Sequence, residues 1–340
     1  MLSIGKGEAI VKIGEKLSWP DRRSWYAKTY PALLKYHQWL YDERDPHKEG
    51  LVLQIHPWEV GMDNTPPWMA ELHDHQLNWW IRALKQSRLD SVVSLMRRDT
   101  KDISPKERFD TIEALAMFDI QRRLRRKAYD IDRILDHSMF AIEDVAFNAI
   151  LIRNNQHLCE IAKALKEELP EDLLTSINKS KHAFTQLWDP FSSQYYSRDF
   201  ITHRLLKVPS VATMLGLYAG TIPKDHAKSL VHHLGDKHSF NPNFPVPSTP
   251  LNSSWYKPNN YWQGPTWVNI NWLIIDGLKR YDYLEEAENL RQITLSMVSS
   301  YGCWEYFNPE NGQGIGTPNF SWTAALTADL ILSPIKGSVT

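Results

Sequence analysis

The 340-residue chain contains only two cysteines, Cys159 and Cys303. Two cysteines cannot form a disulfide framework, so a reducing compartment is the expected setting. The sequence also lacks a run of about 18 consecutive apolar residues, which a membrane-spanning helix would need. Residues 1–16 mix charged and apolar side chains and lack the apolar run of a signal peptide. These absences predict a cytoplasmic protein without a membrane partner.

Several other functional signatures are missing. The formal net charge is −1 and the isoelectric point is near 6.9, so there is no general attraction to nucleic acid. There is no phosphate-binding loop, dinucleotide glycine signature or nucleophile elbow, and the thirteen histidines show no metal-ligand spacing. We interpret the basic cluster at 122–127 as a solvated helix face. The sequence therefore predicts neither a metal nor an organic cofactor.

Tryptophan, by contrast, is abundant, with 14 residues in the chain. Residues 58–68 (WEVGMDNTPPW) and 303–312 (CWEYFNPENG) each place a carboxylate, Asp63 and Glu305, between aromatic side chains in a segment with proline and glycine. Sugars stack their C–H faces on aromatic rings, and glycosidic bonds are cleaved by a pair of carboxyl groups. The two segments together therefore suggest the two halves of a glycosidase active site.

Apolar periodicity and capping residues predict an all-α chain. The expected helices cover residues 22–44, 68–87, 106–129, 139–165, 171–187, 208–218, 224–234, 265–281, 283–300 and 319–332. The helix at 106–129 is rich in arginine and must be wet, whereas residues 267–275 are apolar nearly all round and must be buried. An outer wet helix followed by an inner dry one is typical of an (α/α)6 toroid. We expect a single domain spanning residues 1–340.

The longest stretch without a predicted helix is 237–260, which contains five prolines. Its aromatic residues indicate an ordered wall of a pocket rather than a disordered loop. The segment 261–267 (YWQGPTW) then opens a buried helix, with Pro265 expected at its first helical position. We favour sugar binding for this segment over a purely structural role, and 319–323 (NFSWT) opens the last helix in the same manner.

Each carboxylate has an alternative interpretation. Asp63 could cap the helix at Trp68, although Thr65 is better placed as a cap. Held near aromatic rings, Asp63 would be partly desolvated, which raises the pKa of a carboxyl and suits it to proton donation. Glu305 could instead belong to a buried ion pair. Glu310, in a turn with proline and glycine, is a weaker candidate that we expect to face solvent.

The sequence resembles glycoside hydrolase family 63. The resemblance lies in 61–66 (GMDNTP), 261–267 (YWQGPTW) and 304–309 (WEYFNP), and it extends to 187–189, 195–196, 208–211, 314–316 and 320–326. Within the family, mannosylglycerate and glucosylglycerate hydrolases are most similar. The resemblance covers residues 20–332 and implies an (α/α)6 barrel that inverts the anomeric carbon. It implies that Asp63 is the general acid and Glu305 the general base, with carboxyl groups roughly 6.5–9.5 Å apart.

The expected ligand is therefore a small α-glucoside or α-mannoside, such as glucosylglycerate or mannosylglycerate. The predicted substrate-binding residues are Trp58, Asn64, Tyr261, Trp262, Gln263, Gly264, Trp267, Tyr306 and Trp322. Many family members have arginine in place of Gln263, so the bound sugar is left open. A carboxylate on the aglycone would require a cation, for which Arg198, Arg204 and Lys207 are unranked candidates.

Two alternatives follow from the same residues. We predict about ten of the twelve barrel helices and find only about 60 residues ahead of Asp63, so the N-terminal part of the barrel is expected to be incomplete. The chain could then be a non-catalytic sugar-binding remnant, although binding alone does not need both carboxylates. A third possibility is a trehalase or an oligosaccharide glucosidase. The oligomeric state is left open.

Overall fold

The computed structural model describes residues 5–72, 81, 83, 103–104, 107–136 and 140–335. Beyond position 72, the predicted helix at 68–87 lies outside the described residues except for positions 81 and 83. The histidines at 73 and 75 also lie outside them. Within the described ranges no helix is long and apolar enough to cross a membrane.

The described chain is mainly helical, as predicted. Its α-helices are α1 Lys6–Glu15, α2 Trp19–Glu43, α3 Pro57–Val60, α4 Pro66–Glu71, α5 Thr111–Arg126, α6 Ile131–Asp136, α7 Val145–Leu165, α8 Glu171–Phe184, α9 Leu215–Ala219, α10 Lys224–Gly235, α11 Val268–Arg280, α12 Leu284–Tyr301 and α13 Ser321–Leu332. Short 3-10 helices cover Thr185–Leu187 and Val211–Met214. The helix α1 was not predicted.

The helices form an inner and an outer layer. Five inner helices follow one another in space, because α7 packs on α2, α9 on α7, α11 on α9 and α13 on α11. The outer helices α8, α10 and α12 pack on α7, α9 and α11 respectively. Burial explains this division from α7 to α12: most of α7, α9 and α11 is buried, whereas α8, α10 and α12 each bury a minority of their residues. The predicted alternation of dry and wet helices is confirmed for this part of the chain, whereas α2 and α13 bury only a few residues each.

Local capping sets the ends of these helices. In α7 the Asp144 carboxylate accepts a hydrogen bond from the Phe147 amide at 2.8 Å, and Lys166 ends the helix in a left-handed conformation. In α8 the acidic residues Glu171 and Asp172 occupy the first turn, as predicted, where they complement the helix dipole. Capping therefore fixes the residues at which these helices begin and end, and with them the points from which the connecting loops leave.

Three two-residue antiparallel ladders fix the loops between helices. They pair β1 (Ile142–Glu143) with β4 (Arg198–Asp199), β2 (Trp188–Asp189) with β3 (Gln194–Tyr195), and β5 (Tyr306–Phe307) with β6 (Gly314–Ile315). An isolated bridge also joins Thr266 to Phe307. The segment at 261–267 and the segment of Glu305 are therefore held side by side, although about 40 residues separate them in the chain.

Four predicted helix starts are wrong. The helix predicted from residue 106 begins at Thr111, and the one predicted from residue 208 begins as a 3-10 helix at Val211 that continues into α9 at Leu215. Pro265 is not at a first helical position, because α11 begins at Val268 after Thr266 has paired with Phe307. The predicted helix at 139–165 begins instead at Val145, since residues 142–143 form β1. The long stretch 237–260 is non-helical, as predicted.

Candidate active site

A cavity of about 590 Å³ opens beside the turn that carries Asp63. Its walls come from α2, α3, α7, α13 and the loop preceding α11. Nine polar or aromatic side chains give it the character of a sugar site, since it combines aromatic faces with charged groups. They are Tyr36, Trp39, Arg44, Trp58, Glu59, Asp63, Phe147, Tyr261 and Trp322.

The turn at 61–65 directs Asp63 towards the cavity. Helix α3 ends at Gly61 and α4 begins after Thr65, which is its N-cap residue. The Asp63 side chain caps neither helix, while its backbone carbonyl accepts a hydrogen bond from Trp68 Nε1 at 2.9 Å. Tyr261 Oη donates to Asp63 Oδ2 at 3.3 Å. The alternative interpretation of Asp63 as a helix cap is therefore not supported by these contacts.

Burial raises the pKa of Asp63 to about 6. The Glu305 carboxylate adds to this rise, whereas the hydrogen bond from Tyr261 and the charge of Arg108 oppose it. A carboxyl with such a pKa is protonated in a useful fraction near neutral pH and can donate its proton. The desolvation expected from the flanking tryptophans is thus present at this residue.

Glu305 has a different environment. Arg108 binds it with both terminal nitrogens, Nη1 to Oε1 at 3.0 Å and Nη2 to Oε2 at 2.8 Å. The Thr317 amide also donates to Oε2, at 3.2 Å, and the residue is 8% exposed. Gly316 permits this close approach, because an added Cβ there would lie 2.9 Å from Oε2. This charge-assisted fork is the buried ion pair that was the alternative interpretation of Glu305.

Tyr261 lies between the two carboxyl groups. Its hydroxyl contacts Asp63, and the Arg108 guanidinium stands 5.0 Å from the centre of its ring. Burial raises the pKa of Tyr261 well above its ordinary value, so its hydroxyl stays a proton donor. Neither Glu305 nor Arg108 lines the cavity described above. Tyr261 and Arg108 connect the two acids, and the charge of Glu305 adds to the rise in the pKa of Asp63.

Three predicted binding residues lie behind Tyr261 rather than in the cavity wall. Trp262 and Trp267 stack with ring centres 3.9 Å apart and nearly parallel planes, and Tyr306 packs on Trp267 at 4.7 Å. All three are buried. Trp267 Nε1 also donates to the Tyr261 carbonyl at 3.1 Å. These rings therefore position Tyr261, whereas Trp58 and Trp322 line the cavity directly.

The polar candidates Asn64 and Gln263 are fully buried in a network centred on Glu113. Gln263 Nε2 donates to Glu113 Oε1 at 2.8 Å, and Asn64 Nδ2 donates to Oε2 at 3.3 Å. Burial, assisted by the charge of Asp110, raises the pKa of Glu113 to about 7. Gly264 offers no room for a ligand, because an added Cβ would lie 2.2 Å from the Lys257 carbonyl oxygen. The network ties α5 to the site loops.

The three cations considered for the aglycone lie elsewhere. Arg198 binds Glu143 and Glu49, Arg204 binds Glu71, and Lys207 binds Asp189. None of the three lines the cavity. Glu310 is exposed, as predicted, and accepts a hydrogen bond from Tyr256.

Sequence reasoning missed five residues of the site. Arg44 lines the cavity and pairs with Glu59 at 2.8 Å, and Tyr36 and Trp39 add two aromatic walls from α2. Arg108 and Glu113 come from the chain around α5. A local signal existed only for Glu113, which forms a capping box with Asp110. The others are recognised only when distant segments are brought together.

Two helical layers around a cavity with an aromatic lining and a desolvated carboxyl group are typical of a glycosidase. The comparisons with known proteins agree. The sequence profile of the mannosylglycerate hydrolase MGH1-like glycoside hydrolase domain matches residues 10–323. The chain belongs to this family and is a glycoside hydrolase.

The names of individual relatives specify the glycoside that each one hydrolyses. The mannosylglycerate hydrolase of Thermus thermophilus is 34% identical over 310 residues, which are 90% of this chain and 71% of that protein. The glucosylglycerate hydrolase of Mycolicibacterium hassiacum is 28% identical, over 87% of this chain and 66% of that protein. The crystal structure of the family 63 mannosylglycerate hydrolase from Thermus thermophilus, in complex with Tris, matches with a TM-score of 0.85 and 31% identity. This match covers 96% of this chain and 76% of that one. The predicted toroid is thereby confirmed.

Proposed function

We propose that the protein hydrolyses a small α-glycoside of glycerate with inversion, using Asp63 as the general acid and Glu305 as the general base. The observation that carries the proposal is that the two linked carboxyl groups have different environments. Burial raises the pKa of Asp63 to about 6, whereas Glu305 is held by an arginine fork. An inverting glycosidase needs one protonated and one ionised carboxyl group.

In the proposed reaction the Asp63 carboxyl donates its proton to the glycosidic oxygen as the bond from that oxygen to the anomeric carbon breaks. A water molecule attacks the opposite face of the sugar, and Glu305 accepts a proton from it. The anomeric carbon thereby gains a hydroxyl of inverted configuration. Asp63 ends ionised and Glu305 protonated, and both return to their starting states by proton exchange with solvent.

The pairing of Glu305 with Arg108 requires one additional step. Both carboxylate oxygens accept hydrogen bonds from Arg108. We infer that water entering with the substrate replaces one of these bonds while the other remains. Arg108 would then hold Glu305 in the orientation in which it accepts a proton from that water.

The glycerate part of the proposal rests on the cavity and on the relatives. A cavity of about 590 Å³ suits a small ligand, since pockets for such molecules measure about 300–1,000 Å³. Arg44 is the cationic side chain among its lining residues. It could accept an aglycone carboxylate while Glu59 keeps its guanidinium in place. The names of the relatives mention mannosyl- and glucosylglycerate.

Two variants test the catalytic roles. Asp63→Asn and Glu305→Gln should each lower kcat by about 10²–10⁴ on α-mannosylglycerate or α-glucosylglycerate. Glu310→Gln is the matched control, because it removes a nearby exposed carboxylate. Proton NMR should show the β-anomer as the first product. Wild-type rates in either acid variant, or an α-anomer as the first product, would overturn the mechanism. If uncharged methyl glycosides are hydrolysed as fast as the glycerate glycosides, only the assignment of glycerate as the aglycone is refuted.

One observation favours a second candidate function, sugar binding without turnover. Both oxygens of Glu305 accept hydrogen bonds from Arg108, and Glu305 is not among the residues that line the cavity. A remnant of this kind should show a higher melting temperature with sugar present and no product by NMR. Product formation would exclude it.

A further inference from the structure

Away from the cavity, two histidines and a glutamate meet at the surface. The ring nitrogens of His47 and His203 and a carboxylate oxygen of Glu49 lie within 4.8 Å of one another. All three side chains are exposed. His47 and Glu49 lie in the loop after α2, and His203 follows β4, so sequence spacing alone gave no sign of the cluster.

The loop after α2 is held firmly in place. The buried Asp45 carboxylate accepts hydrogen bonds from the backbone amides of Glu49 and Gly50, each at 2.9 Å. The Asp45 carbonyl also accepts from the Lys48 amide at 3.0 Å. This closed turn presents His47 and Glu49 on the same side of the chain.

The turn after β4 is similarly constrained. The Asp199 carboxylate accepts from the amide and the hydroxyl of Thr202, each at 2.8 Å, and the Asp199 carbonyl accepts from the His203 amide at 2.9 Å. The buried Phe200 ring stacks on His47 at 4.6 Å and packs against His203 at 6.5 Å. One aromatic ring therefore orients both imidazoles.

The charge around the cluster favours a cation. Glu49 Oε2 lies 3.0 Å from Arg198 Nη2, and the same guanidinium binds the buried Glu143. Two carboxylates thus face one guanidinium, which leaves an excess of one negative charge beside the two histidines. The second oxygen of Glu49 has no part in its contact with Arg198 and is available to a metal ion.

We propose that His47, Glu49 and His203 form a binding site for a divalent transition-metal ion of the Zn²⁺ type. Two imidazole nitrogens and one carboxylate oxygen are a ligand set that Zn²⁺ and Co²⁺ accept, with water in the remaining position. Arg198 supplies an outer hydrogen bond to Glu49, and the ring of Phe200 restrains both imidazoles. The ion would fasten the loop after α2 to the turn after β4. The proposal is independent of the glycosidase mechanism.

Titration of tag-free protein with Zn²⁺ in a calorimeter, and with Co²⁺ in a spectrophotometer, tests the site. We expect one ion per chain and visible Co²⁺ absorption of a four- or five-coordinate complex. Loss of an outer partner of a metal site typically weakens binding about 10- to 100-fold, so His203→Ala or His47→Ala should weaken it at least tenfold. His182→Ala, which removes an exposed histidine from α8, should leave binding unchanged.

A third variant separates ligation from packing. Glu49→Gln retains the shape of the side chain but removes its charge, and it should also weaken Zn²⁺ binding while circular dichroism shows an intact fold. Zn²⁺ should raise the melting temperature of wild type and of His182→Ala, but not of His203→Ala. Undiminished binding in the His47, Glu49 and His203 variants, or an equal loss in the His182 control, would overturn the site.

Discussion

Removing the hydroxyl of Tyr261 should shift the alkaline limb of the activity profile to higher pH. Tyr261 Oη donates to Asp63 at 3.3 Å and lowers the pKa of this carboxyl by favouring its ionised form. Tyr261→Phe removes that donor while the ring remains. The pKa of Asp63 should then rise above about 6, and the proposed acid should stay protonated to a higher pH.

The expected size of the shift follows from the contact. A hydrogen bond contributes about 1 kcal/mol net, and the long distance and partial exposure at Asp63 argue against a larger value. Since about 1.4 kcal/mol corresponds to one pKa unit, the limb should move upward by about 0.7 pH units. The measurement is kcat/KM on a glycerate glycoside from pH 4 to pH 9, fitted for the two limbs.

Tyr256→Phe is the matched control for this experiment. Tyr256 also donates its hydroxyl to a carboxylate, that of the exposed Glu310 at 3.1 Å, but it does not contact Asp63. Its profile should coincide with that of wild type. An alkaline limb that stays in place or moves to lower pH in Tyr261→Phe would refute the assignment of this limb to Asp63.

The other predictions concern two buried ion pairs, Arg108 with Glu305 and His157 with Glu8. Arg108→Lys keeps a positive charge but loses the fork on Glu305, so kcat should fall about 10- to 100-fold with little change in KM, and an unchanged kcat would contradict a positioning role. In the second pair burial opposes ionisation of Glu8, but His157 holds the pKa of Glu8 at about 2. Its contribution to stability is present above the ordinary carboxyl pKa and is lost as the pH falls through about 2. Glu8→Gln should therefore lower the free energy of unfolding by about 2–3 kcal/mol at pH 7, with a smaller difference at pH 3, in urea titrations where the exposed Glu15→Gln is the control.

The fold could be predicted largely from the sequence because its signals are local. The apolar run at 267–275, most of which lies in α11, indicates a buried helix, and the arginine-rich end of α5 indicates a wet one. The start of α11 was misplaced for a non-local reason. Thr266 pairs with Phe307, a partner that helix propensity at Pro265 does not reveal.

The candidate site was predictable only where its chemistry is contained in one segment. Asp63 and Glu305 carry their aromatic neighbours in sequence, and both occupy the enclosed positions expected of them. The polar candidates Asn64 and Gln263 were assigned to substrate from residue type alone. Their partner Glu113 lies on another helix, so their burial depends on a contact across the fold.

The tryptophan surplus likewise has two separate uses. Trp58 and Trp322 line the cavity, whereas Trp262 and Trp267 stack on each other behind Tyr261. Composition cannot distinguish a ring that faces a ligand from one that supports a neighbouring ring, because both occur in aromatic-rich segments. Which tryptophans face the cavity depends on the β-bridge between Thr266 and Phe307, which brings the two loops together.

The asymmetry between the carboxyl groups supports the proposed division of roles more strongly than their separate positions do. Asp63 receives a single long hydrogen bond from a neutral hydroxyl, so desolvation dominates and favours its protonated form. Glu305 receives two hydrogen bonds from a guanidinium and one from a backbone amide. Exchanging the roles would place the acid proton, before the reaction starts, on the carboxyl group that faces a permanent cation, and would leave the desolvated Asp63 to start as the base. The contacts of the two groups therefore support the proposed assignment of acid and base.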